Sequence, residues 1–178
     1  AEEHCMLSSI GFRAPSHQEL AVQFLVHLQD NSDIEGRSSD PDLARQRHPG
    51  RLPPAMLRQA ATVLNNIKWR RSDIERFLGT YLTEPKSHVF FTPPIRTVTR
   101  KKFIHQIREG KLALNLKSRM LCGKKTVFLN GEAYPVSAIT RQSLEKLADT
   151  CTLPAGGNLD DEAVSLCYEW YLDGFIDI

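Results

Sequence analysis

The chain has 178 residues, 41% of them hydrophobic and 25% charged, with a formal net charge of +2, which suits one soluble globular domain or two small ones and excludes a membrane span, since no run reaches about eighteen apolar residues. No signal-peptide pattern opens it, and Ala1 stands first, as in a trimmed or excised piece. Four cysteines, Cys5, Cys122, Cys151 and Cys167, show neither a C-x-x-C nor a zinc spacing and read as free thiols of a reducing, cytoplasmic compartment.

The first element, "CMLSSIGFRAPS", reads as a strand with Cys5, Leu7, Ser9 and Gly11 on one face and Met6, Ser8, Ile10 and Phe12 on the other. Pro15 ends it, and nothing nearby in sequence offers a pairing partner. "SHQELAVQFLVHLQDN" follows as a helix, with Ser16 and Glu19 spaced as a capping box and Leu20, Phe24 and Leu28 at helical spacing. The 24 residues of "NSDIEGRSSDPDLARQRHPGRLPP" form a loop rich in turn chemistry. Pro54 suits a first helical position, and Leu57, Ala60 or Ala61, Leu64 and Ile67 share one face behind it. Ser72 and Glu75 give a second capping box ahead of Ile74, Phe77, Leu78, Tyr81 and Leu82, and Pro85 stops that helix. Three amphipathic helices in residues 16–84 make a small core. Two readings stay open: a self-contained bundle, or homodimerisation through Leu20, Phe24, Leu28, Leu57, Leu64, Phe77, Leu78 and Tyr81.

"PKSHVFFTPPIRTVT" reads as a linker broken by three prolines, Pro85, Pro93 and Pro94. Beyond it, "TRKKFIHQIREG" is a short helix with Phe103, Ile104 and Ile107 inward and Gly110 at its end. "KLALNLK" alternates as a half-buried strand, with Leu112, Leu114 and Leu116 on one side. "RMLCGKKTVFLNGEAYPV" holds two or three more strands, and Asn130-Gly131 is a strong hairpin signal. Two helices close the chain, "AITRQSLEKLAD" and "NLDDEAVSLCYEWYLDG", the second capped by Asn158 and ended by Gly174. Helix, hairpin sheet and helices in this order predict a winged-helix-like module.

Charge is uneven. Arg96, Arg100, Lys101, Lys102, Arg108, Lys111, Lys117, Arg119, Lys124 and Lys125 set ten bases against Glu109 between residues 96 and 125. From Thr150 onward, Asp160, Asp161, Glu162, Glu169, Asp173 and Asp177 make six acids with no base. Solvated faces account for both runs; a polyanion-binding surface on the 96–125 segment is the sharper alternative. Arg100, Lys101, Lys102 and Arg108 lie on the exposed side of their helix, but the helix placed to read bases sets Arg141 and Lys146 against Glu145 and Asp149. Nucleic acid is therefore not the expected partner. Catalytic motifs are missing: there is no phosphate-binding loop, nucleophile elbow or H-E-x-x-H. His17 and Glu19 form an H-x-E triplet, but on a helix they point about 200° apart and cannot share an ion.

"SSIGFRAPSHQELAVQFLVHLQD", "SSDPDLARQRHPGRLPPAML", "KSHVFFTPPIRTVTRKKFIHQIREGKLALNL" and "VFLNGEAYPV" resemble, in order along the chain, the JmjC/cupin-fold ribosomal oxygenases, specifically the bacterial ribosomal-protein arginine hydroxylases. The resemblance implies a catalytic β-barrel followed by a helical dimerisation region and a winged-helix domain. It also implies that residues 1–15 are the last strand of a barrel missing from this chain, with 16–90 the helical dimerisation region and 91–178 the winged-helix domain. The expected fold class is thus α+β. The family's Fe(II), held by an H-x-D…H triad, and its 2-oxoglutarate belong to that barrel; His4 matches no ligand position. No metal or cofactor is expected in this chain, which should be inactive alone, although Ser9 lies on the face that would line the 2-oxoglutarate pocket. For the parent enzyme the resemblance implies peptidyl-arginine 3-hydroxylation of a basic ribosomal protein. Asp160, Asp161, Glu162, Glu169 and Asp173 are the expected contacts to that substrate. A nucleic-acid-binding winged helix using residues 96–125 is the alternative, and a purely structural dimerisation module a third.

Overall fold

The computed structural model describes residues 14–31, 48 and 50–178. The expected strand at Cys5–Phe12, with Ser9 on it, lies outside the described residues, as does most of the loop after Asn31. The chain divides into two compact units after Ile67.

The first unit carries α1 (His17–Asn31) and α2 (Pro54–Asn66). The Ser16 hydroxyl accepts the Glu19 N–H at 3.1 Å, which satisfies one of the orphan donors of the first turn. Pro54 stands at the start of α2, where its missing N–H costs nothing. On α1 Leu28 is buried and Leu20 and Phe24 are half-buried, whereas Leu57 and Leu64 of α2 are 54% and 66% exposed.

The second unit is a mixed layer of helices and short antiparallel strands: α3 (Arg71–Thr83), α4 (Arg100–Glu109), β1 (Leu112–Leu114), β2 (Met120–Cys122), β3 (Thr126–Leu129), β4 (Glu132–Pro135), α5 (Ala138–Thr150), β5 (Thr152–Leu153), α6 (Asp161–Leu172) and β6 (Ile176–Asp177). One sheet has the order β5-β1-β6 and the other β2-β3-β4, so the fold class is α+β. The hairpin forms where the sequence places it. Leu129 pairs with Glu132 across Asn130 and Gly131, whose φ values of 52° and 89° give the two-residue turn that matches strand twist. The core collects Phe103 and Ile107 of α4, Leu112 and Leu114 of β1, Leu144 and Leu147 of α5, and Cys167 and Trp170 of α6. Trp170 is fully buried and meets the Tyr134 ring edge-on at 5.2 Å. Each such side chain contributes roughly 1.5–3 kcal/mol by leaving water.

Local expectations failed in three places, each for a physical reason. Ser72 and Glu75 do not cap α3; the helix starts at Arg71, and the Asp73 carboxylate accepts the Arg70 N–H at 2.6 Å. Asp160 rather than Asn158 caps α6, its carboxylate accepting the Ala163 N–H at 3.3 Å. Leu116 does not join Leu112 and Leu114 but is fully exposed, because β1 ends at Leu114 and the Asn115 side chain accepts the Lys117 N–H at 3.1 Å to start a turn. In addition α3, grouped by the sequence with the helices before it, packs against the β2-β3-β4 sheet, in the same unit as the rest of the second half.

Candidate functional site

The acidic helix divides its five candidate residues into two kinds. Asp160 accepts from the Thr140 hydroxyl at 2.6 Å. Glu162 lies within reach of the same hydroxyl, whose single hydrogen the two carboxylates share, and accepts the Ser137 N–H at 3.2 Å. Thr140 is fully buried, so these bonds staple the start of α6 to the start of α5. The Thr140 hydroxyl first, and the Ser137 N–H after it, hold the Glu162 carboxyl below the ordinary carboxylate value. Both carboxylates are thus engaged by hydrogen bonds within the chain, although the Glu162 side chain itself is exposed.

Asp161, Glu169 and Asp173 remain exposed. Asp161 sits in the first turn of α6, where the helix dipole favours a negative charge. Glu169 and Asp173 sit at the opposite end, which favours a positive one, and the last turn contains no base. Among the described residues no cation pairs with any of the three. Two carboxylates placed against the dipole and left unpaired are a cost to the isolated chain that a cationic partner would remove.

The basic helix is open to solvent as well: Arg100, Lys101, Lys102 and Arg108 of α4 are all exposed. Thr99 caps this helix by accepting the Lys102 N–H at 3.4 Å, and Arg100 reaches across to donate to the Ser165 hydroxyl at 2.8 Å. On α5, however, Arg141 is tied to Glu145 at 2.9 Å. That pair cancels the charge a base-reading helix would need.

The expected dimer residues are not all equally available. Phe77 is buried in its own unit and stacks on the half-buried Tyr81 with ring centroids 5.4 Å apart. Leu78, with Ile74 and Leu82, lines a groove of about 390 Å³ whose other wall is Leu121 and Cys122 of β2. Burial, and then the Glu145 carboxylate, push the Cys122 thiol up to about 11. Leu28 is also buried, while Leu57 and Leu64 face outward.

Among the described residues no three His, Cys, Asp or Glu side chains converge as a metal site. His17 and Glu19 both lie on α1, where helical geometry separates them. The described donors do not fit an Fe(II) site, and no reaction step is assigned to them. Sequence reasoning overlooked Thr140 as the hub of the α5–α6 staple; the S-x-x-T spacing from Ser137 was the available signal.

The fold has clear relatives. A family model described as ROXA-like winged helix matches residues 63–177. The ribosomal protein uL16 3-hydroxylase of Escherichia coli (strain K12) is 24% identical over 165 residues, covering 90% of this chain and 44% of that protein. YcfD, a ribosomal oxygenase from Escherichia coli solved with cobalt and 2-oxoglutarate, superposes with a TM-score of 0.70 at 20% identity, over 94% of this chain and 47% of that one. Another Escherichia coli ycfD structure gives a TM-score of 0.70 at 19% identity, over 94% and 46%. The chain therefore spans less than half the length of the relatives it matches. At these identities the structural likeness establishes the fold.

Proposed function

The chain belongs to the ROXA-like winged helix family, and from that premise we propose that it is the dimerisation and winged-helix part of an Fe(II)/2-oxoglutarate-dependent ribosomal-protein hydroxylase. Catalysis in such an enzyme takes place on residues other than those described. This part recruits and positions the substrate, a basic ribosomal protein hydroxylated at an arginine C3. Residues 16–90 serve homodimerisation, with Leu57 and Leu64 the most accessible of the apolar candidates. Residues 91–178 form the accessory module.

The observation that carries the reading is the placement of Glu169 and Asp173 against the dipole of α6 with no described cation beside them. Together with Asp161 they present unneutralised carboxylates to a polypeptide rich in Lys and Arg, and they repel a nucleic-acid backbone. Asp160 and Glu162, engaged by Thr140 and Ser137, stay out of that contact.

Titrating the chain against a purified uL16-type ribosomal protein by fluorescence anisotropy tests this. Affinity is expected to fall as salt rises, and the triple reversal Asp161→Lys, Glu169→Lys, Asp173→Lys to weaken it by about tenfold or more. An affinity indifferent to both salt and reversal overturns the docking role.

A further inference from the structure

A second charged feature is built from elements other than α6. Where the first turns of α3 meet the β2–β3 turn there is a cavity of about 490 Å³. Four cations line it: Arg71 and Arg76 from α3, Lys124 and Lys125 from the turn. All four are exposed, and among the described residues none has an ion pair or a side-chain hydrogen bond. Two carboxylates share the wall and are already occupied. Asp73 accepts the Arg70 N–H at 2.6 Å, and Glu75 accepts the Lys124 N–H across the junction.

The Glu75 bond also fixes the spacing of the cations. It ties the β2–β3 turn to α3, and Gly123 makes the approach feasible, since a Cβ there would overlap the Glu75 carboxylate. The backbone segments that carry the cations, one on the helix and one on the turn, are thereby held around one space before any ligand arrives. Buried Phe128 backs the cavity on one side. The two carboxylates of the wall offset part of this charge, and the four cations leave a net excess of two positive charges for an anion to meet.

We propose that this cavity is a binding site for a phosphate group. The guanidinium groups of Arg71 and Arg76 can each offer two parallel N–H donors, and Lys124 and Lys125 add compact charge. A tetrahedral phosphate has enough oxygens and enough charge to use all four. A carboxylate, planar and singly charged, leaves part of the set unmatched. The phosphate comes from a free phosphate ester or from a nucleic-acid backbone. This site does not depend on the substrate-docking role of α6.

The test uses the whole 178-residue chain, with inorganic phosphate and a short single-stranded RNA as probes and polyglutamate as the carboxylate control. The variants are Lys124→Glu with Lys125→Glu, Arg71→Gln with Arg76→Gln, Lys124→Arg with Lys125→Arg, and Lys101→Glu with Lys102→Glu on α4. Circular dichroism verifies that each is folded, as the exposed positions lead one to expect. Binding of phosphate or RNA is expected in the parent chain, reduced about tenfold or more in the first two variants and kept in the last two. RNA binding whose logarithm falls with log salt by about 0.7 per phosphate contacted identifies the nucleic-acid source. Binding of inorganic phosphate without RNA identifies the free ester. The site is overturned if neither probe binds, if the cavity variants bind as the parent does, or if polyglutamate binds as tightly as the phosphate probes.

Discussion

Thr140 shows how much one hydroxyl can decide. It has a single hydrogen to give, yet both Asp160 and Glu162 lie within reach of it. The Ser137 N–H adds a second donor for Glu162 and favours its ionised form, so the folded-state value lies below the ordinary 4.5. A carboxyl lowered on folding contributes stability that is present above its unfolded value and is lost as pH falls through the folded one. The parent chain should therefore lose stability faster than Glu162→Gln over roughly pH 5 down to 3, since glutamine keeps an acceptor oxygen and cannot titrate. Urea unfolding at several pH values measures this, and identical pH slopes in the two proteins would contradict it.

At the scale of elements, the junction between α3 and the hairpin rests on two small residues. Thr83 is fully buried; its hydroxyl donates to the Gly79 carbonyl at 2.7 Å and accepts the Gly131 N–H at 3.0 Å. Thr83→Val keeps the shape but strands that N–H, at an expected cost of about 1–3 kcal/mol. Gly79 makes the sign of a prediction depend on packing. Helix propensity alone says Gly79→Ala stabilises α3 by about 1 kcal/mol. A Cβ at that position would instead fall on the Phe128 ring, which is 2% exposed, so a loss of about 1–3 kcal/mol is expected. Denaturant midpoints at unchanged m-value report both, and a stabilised Gly79→Ala would show that α3 does not press on β3 as described. These contacts also mark where sequence reading stops. The Ser16 cap and the Asn130-Gly131 turn were legible because their partners lie within three residues. Glu75 was not: its spacing from Ser72 imitates a local cap, yet its partner is 49 residues away at Lys124. The acidity of α6 was plain from composition. Which of its carboxylates are free was not, because Thr140 stands 20 residues before Asp160.

For the molecule as a whole, the order of helices, hairpin sheet and helices was readable, and the family match at residues 63–177 agrees with it. The division after Ile67 was not, since the apolar stripe of α3 looks the same whether it faces a helix or a sheet. The two charged features have opposite chemistry: carboxylates along α6 with no ion pair among the described residues, and a cationic cavity between α3 and the β2–β3 turn. A module of this kind can hold a basic polypeptide by one face without attracting it to the other, a form of discrimination through repulsion. The most direct measurement of the central claim is mass spectrometry of purified ribosomal proteins incubated with the full product of this gene, iron(II), 2-oxoglutarate and dioxygen. The account predicts that one basic ribosomal protein gains a single oxygen atom on an arginine, only when 2-oxoglutarate is present, and in lower yield when Asp161, Glu169 and Asp173 are reversed to lysine. Ribosomal proteins that keep their mass under those conditions would contradict it.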